Sequence, residues 1–168
     1  MTEYTDLISL ADAKLYLRVD HTDSDAEITR MIKSSLSYLE KHTQHIIIDG
    51  DRTYNLGDNN CINVYDYPIT DVVKGIDKDG ADVTLTFETN YDKTEKIGYT
   101  LYEQIDSAAV KLVLTVGYTT ATDVPPELTD AALEMIDYWY YKNDGKANIT
   151  LIPESVQAVI HTLRRFII

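Results

Sequence analysis

Cysteine occurs once in this chain, at Cys61, and a single thiol excludes an internal disulfide. Basic residues are also scarce. Fifteen Lys and Arg stand against 28 Asp and Glu, a formal net charge of −13. A surface that grips nucleic acid neutralises phosphates with Lys and Arg, so the charge argues against tight DNA binding but leaves room for DNA passing nearby without sticking. The excess acid also favours solubility. No stretch approaches the ~20 apolar residues of a membrane span. The opening MTEYTDLISLADAK lacks the basic start and apolar centre of an export signal. The expectation is a soluble protein made in a cytoplasm, with no membrane partner, and the sequon at Asn148, Ile149 and Thr150 is then chance. Internal repeats and low-complexity tracts are missing, as are a phosphate-binding glycine loop and a nucleophile elbow.

What is present begins with apolar residues, 44% of 168, enough for a sizeable core in one domain with an insertion. The strongest pattern covers residues 24–42. Ile28, Met31, Ile32, Leu36 and Leu39 recur at helical spacing with Ser35 on the same face. Thr29, Arg30, Lys33, Ser37 and Glu40 take the other side. Ser24 and Glu27 have the spacing of a capping box. A shorter helix over 10–18 precedes it, started by Ser9 and Asp12, with Ile8 placed as a staple against Ala13 and with Leu10, Ala13 and Leu17 on one face. Residues 19–23 form a polar turn between the two.

Past His42 the period changes. A β-branched run at 45–48 ends on the turn pair Asp49-Gly50. Further strands are expected over 52–56, 62–64, 69–76, 83–87, 97–105 and 110–116, with a hairpin signal at Asp79-Gly80. At Pro125-Pro126 the helical period returns. Leu128, Ala131, Ala132, Met135, Ile136 and Trp139 form one stripe, widened by Leu133 and Tyr140. A last helix follows Pro153, carrying Val156, Val159, Ile160 and Leu163. The fold class is α+β: a helical bundle from residues 1–44 and 120–168, with an antiparallel β meander or small barrel inserted over 45–119.

Catalytic and metal chemistry find little support. Cys61 has no base beside it in sequence. His42 and His45 have a ligand-like gap but no acidic or Cys partner at metal spacing. Residues 77–80 resemble a calcium loop only faintly, because the glycine comes too early and no closing Glu follows. No enzyme and no cofactor are expected. Tyr65, Tyr67, Tyr99 and Tyr102 fall on expected strands, and an exposed row of them is the mark of the alternative class, a carbohydrate-binding β module. The ending Phe166, Ile167 and Ile168 is apolar. It either folds back on the core or docks on a partner.

Four segments in order carry a resemblance: ISLADAKLYLRVDHTDSDAEITRMIKSSLSYLEKHT, YDYPITDVVKGIDKDG, LTVGYTTATDVPPELTDAALEMIDYWYYKND and IPESVQAVIHTLRRF. Together they span residues 8–166, nearly the length of the chain, which resembles the head–tail connector (adaptor) proteins of tailed phages. The resemblance implies a structural virion protein. It implies a homo-oligomeric ring, a dodecamer in the virion, beneath the portal protein. Such a ring extends the channel for passing double-stranded DNA and gives the next neck, stopper or tail protein its attachment site. Another neck or tail-completion protein is the nearest alternative. A ring needs two different patches on each subunit. They are expected around Arg30, Lys33 and Glu40 on one long helix and Glu134, Asp137 and Tyr141 on another. Portal docking is expected at the final tail, Leu163, Arg164, Arg165, Phe166, Ile167 and Ile168. This apolar ending departs from the polar or basic finish of many members. Acidic loops with Asp49, Asp51 and Asp58 are the expected channel lining, since a neutral or acidic lumen lets DNA slide.

Overall fold

The computed structural model describes residues 3–56, 62–83, 88–90, 100–103, 109–142 and 152–164. The protein is α+β and divides into two compact units, one made of Met1–Ile48 with Tyr118–Arg164, the other holding Asp49–Gly117.

The first unit is helical: α1 (Leu10–Leu17), α2 (Asp25–Thr43), α3 (Pro126–Lys142) and α4 (Glu154–Leu163). Ser9 caps α1, its Oγ accepting from the Asp12 amide at 3.1 Å. Arg18 ends that helix in the left-handed region at φ 58°. The polar turn that follows is pinned by Lys14, whose Nζ donates to the His21 carbonyl at 2.6 Å and to Asp25 Oδ1 at 2.7 Å. α2 spans 19 residues, roughly 28 Å at 1.5 Å per residue. Its buried face is Ile28, Met31, Ile32, Ser35, Leu36, Leu39 and Thr43, so the apolar stripe read from the sequence is the stripe that is covered. The buried hydroxyls are satisfied within the helix, Ser35 donating to Ile32 O and Thr43 to Leu39 O. α3 opposes it with Leu128, Ala131, Ala132, Met135, Ile136 and Trp139, and α4 adds Val156.

Two local expectations fail here. Ser24 stands at the N-cap of α2 but makes no cap bond. Its backbone, at φ −101° and ψ 4°, is outside the extended region from which a cap hydroxyl reaches the first-turn amides. The Ser24 hydroxyl instead accepts from Tyr140 OH on α3 at 3.2 Å. The run at 45–48 is not a strand. His45, Ile46 and Ile47 are buried in the helical unit, and the Ile46 carbonyl accepts from the Tyr118 amide at 3.2 Å. β-branched residues suit any buried segment, and burial rather than strand pairing accounts for them. Asp49-Gly50 is accordingly no hairpin turn, since Gly50 opens the first strand.

Every described strand pair of the second unit is antiparallel. One sheet has the order β1-β7-β3-β4, from β1 (Gly50–Asn55), β3 (Ile69–Asp77), β4 (Asp82–Val83) and β7 (Ala109–Val116). The other has the order β2-β6-β5, from β2 (Ile62–Val64), β5 (Glu88–Asn90) and β6 (Thr100–Glu103). The first strand pairs with the last, Gly50 opposite Val116, which is not the sequential order of a meander. β7 is central because it is the most apolar, burying Leu112, Val113, Leu114 and Val116. The β3–β4 hairpin turns at Gly80, φ 86°. Asp77 Oδ1 accepts there from the amides of Asp79 and Ala81, so that carboxylate belongs to the turn.

Candidate interaction surfaces

On α3 the buried positions leave Asp130, Glu134, Asp137 and Tyr141 on the opposite side of the helix, at intervals of three and four residues. This is an acidic stripe ending in an exposed aromatic. Tyr141 OH donates to the Leu17 carbonyl, which seats the ring against the end of α1, and its edge meets Tyr140 with centroids 5.0 Å apart. Leu15, Tyr16, Leu17 and Arg18 of α1 line a groove of about 700 Å³ with Asp137 and Tyr141. Tyr16 feels the stripe directly. Burial first, then the charges of Asp137, Glu134 and Asp130, push its phenol above the usual tyrosine value. Glu134 also accepts from Ser155 Oγ at the start of α4.

On α2 the outward side carries Ala26, Arg30, Lys33 and Ser37. With Tyr4, Thr29 and Ser34 they line a second groove, about 560 Å³. Arg30 reaches Glu27 at 3.5 Å in a solvent-exposed pair.

Arg30 and Lys33 therefore lie on one surface, and Glu134, Asp137 and Tyr141 on another. Glu40 lines neither groove, though its partner Tyr4 lines the one on α2. Its carboxylate, part-buried, accepts from Tyr4 OH and from the amides of Ile47 and Ile48, and it directs the chain out of α2. Leu163 closes α4, its carbonyl 3.2 Å from His45 Nε2, and Arg164 is exposed beyond it. Arg165, Phe166, Ile167 and Ile168 lie outside the described residues. Asp51 is on β1 rather than in a loop and accepts from Thr115 Oγ1 of β7 at 2.7 Å. Asp49 immediately precedes β1, and Asp58 lies outside the described residues.

Among the described residues, the two histidines have separate partners. His45 Nδ1 meets Tyr118 OH at 2.6 Å while Nε2 faces Leu163 O, and His42 Nδ1 meets Tyr38 O at 2.8 Å. Among the described residues no group of three His, Cys, Asp or Glu is placed to hold a metal ion. Cys61 and Tyr99 lie outside the described residues. Tyr65 follows the end of β2 half-buried, and Tyr67 is 39% exposed. No described helix is long and apolar enough to cross a membrane.

Leu15 and Tyr16 went unnoticed in the sequence, though a signal was there. With Leu10, Ala13 and Leu17 on the inner face of a short helix, two further apolar residues must point outward.

Comparison with known proteins gives the family and the fold. The family model described as "Head completion protein" matches residues 6–166. No curated protein sequence matches the chain significantly. Among solved structures, a chain in the neck of an empty GTA particle, computed with C6 symmetry, is similar with a TM-score of 0.72 at 14% identity. The match covers 99% of this chain and 94% of that one, so the fold is shared over its full length.

Proposed function

The chain belongs to the head completion protein family, and from that premise we propose that it is a structural protein of the phage neck, acting by assembly rather than catalysis. Copies form a homo-oligomeric ring, a dodecamer by resemblance to the connectors, beneath the portal protein. Residues 1–44 and 120–168 serve as the connector core and 45–119 as an inserted β subdomain. The ring extends the DNA channel and offers its far side to the next neck, stopper or tail protein. It is made in the host cytoplasm and ends in the virion. The observation that carries this reading is the family match over residues 6–166. The likeness to a chain from a neck of C6 symmetry supports a cyclic assembly.

Contacts between subunits fall on the outward sides of α2 and α3, around Arg30 and Lys33 and around Glu134, Asp137 and Tyr141. Glu40 serves them indirectly by fixing the end of α2. The final residues, Leu163 to Ile168, dock on the portal. Asp49, Asp51 and Asp58 face the channel, where a net charge of −13 per subunit keeps DNA from sticking.

Light scattering on the purified protein, with negative-stain images of the same sample and of portal-bearing capsids incubated with it, tests the reading. A ring in solution or on the capsid vertex is the expected result, and absence from both refutes it. Deleting Phe166 to Ile168 should abolish capsid binding while thermal unfolding stays unchanged. Retained binding would exclude the tail as the docking element.

A further inference from the structure

Of the six large hydrophobic side chains exposed among the described residues, three meet on the helical unit: Leu15 at 80%, Tyr16 at 49% and Tyr141 at 57%. Such concentration marks a contact surface rather than scatter. Asp130, Glu134 and Asp137 run beside them, so the patch is apolar and acidic. The α2 groove has the converse character. Arg30 and Lys33 supply positive charge, and Ala26, Ser34 and Ser37 are small enough to leave room for large side chains. The two features lie on the sides of α2 and α3 turned away from the core those helices share. One copy therefore cannot close the patch on its own groove, whereas one copy can close it on the next.

We infer that the α1–α3 face of one copy seats in the α2 groove of a second copy. Leu15, Tyr16 and Tyr141 cover Ala26, Ser34 and Ser37, and the acidic stripe meets Arg30 and Lys33. The inference rests on the ring reading above and names its contact. Patch and groove are different surfaces, so the contact is heterologous: each copy has one of each left over, and the chain of copies closes only by rotation into a ring. The charge pairs set the register, and the apolar residues supply the water-excluding centre.

Two charge-swapped variants test it. D130K/D137K makes both faces basic, and R30E/K33E makes both acidic. Each alone should lose ring formation about tenfold or more, because like charges then oppose one another across the contact. Their thermal unfolding should match the native chain, as Arg30, Lys33 and Asp130 are exposed and Asp137 is half-buried at the groove. An equimolar mixture should recover rings in which the variants alternate, visible by negative stain and by scattering mass. L15S should weaken assembly without any change of charge. Intact rings from either swapped variant, or failure of the folded mixture to reassemble where the native chain does, would overturn the contact and leave the ring reading standing. No ring from the native chain, in solution or on portal-bearing capsids, would overturn both.

Discussion

Glu40 has the sequence signature of a surface charge: a polar-face residue on an amphipathic helix, among Arg30, Lys33 and Ser37. In the structure its two oxygens take Tyr4 OH and the amides of Ile47 and Ile48. Nothing local signals this, since the partners lie 36 residues back and 7 and 8 residues ahead. Glu40→Ala strips an acceptor from three part-buried donors and should cost about 1–3 kcal/mol. Glu40→Gln, which keeps one carbonyl oxygen, should cost less. Urea unfolding measures both, and a change within about 0.5 kcal/mol would mark Glu40 as an ordinary surface residue. Tyr16 gives a residue-scale test through pH. Its phenol is raised above 10.0, by burial first and then by Asp137, Glu134 and Asp130. The folded protein therefore holds that proton at a pH where the unfolded chain has lost it. The contribution is complete below about pH 10 and is lost as pH rises through the folded value. Tyr16→Phe cannot ionise. It should lose less stability than the native chain between about pH 9 and 11, and parallel losses would mean that the fold does not raise the Tyr16 phenol.

At the scale of elements, legibility follows the range of the interactions. The buried faces of α2 and α3 were readable, Thr43 at the end of α2 excepted, because the 3.6-residue period is a local property. The start of α1 was readable through Ser9, whose cap is a local bond. Ser24 was not, because its hydroxyl goes to Tyr140, 116 residues away. Strands could be found, but their order could not. Pairing β1 with β7 joins residues 56 to 66 positions apart, and alternation specifies a face without a neighbour. The β3–β4 hairpin is the exception, since its turn chemistry is local. Gly80 lies at φ 86° with no heavy atom within 4 Å of where a Cβ would stand. Gly80→Ala thus meets no neighbour, and its cost is that of the left-handed backbone alone, about 1–2 kcal/mol. Gly80→Asn should cost less, because Asn visits that region more readily. Denaturant midpoints would rank the two, and equal effects would mean that the turn relaxes to another conformation.

For the whole molecule, the family was legible because four segments keep their order along almost the full chain, and the family match over residues 6–166 bears that out. The contact surface was only half legible. Helical periodicity shows which charges face outward, but only the fold brings Leu15 and Tyr16 of α1 beside Tyr141 of α3. Net charge then sets the conditions for assembly. Each copy carries −13, so copies repel at long range while the proposed contact attracts at short range. At 0.01 M salt the screening length is about 30 Å, wide enough for whole subunits to feel one another. At 0.15 M it is about 8 Å, and only the contact region remains in play. Charge pairs in that region weaken less with salt, because they are partly shielded from solvent, and the apolar centre does not weaken. Ring formation should therefore rise between 0.01 M and 0.15 M salt at fixed protein concentration, followed by static light scattering. A steady fall over that range would mean that attraction between Arg30, Lys33 and the acidic stripe outweighs the repulsion of the whole subunits. The R30E/K33E variant separates the two terms. It has lost the attractive pairs and gained net negative charge, so its residual self-association should increase with salt more steeply than that of the native chain.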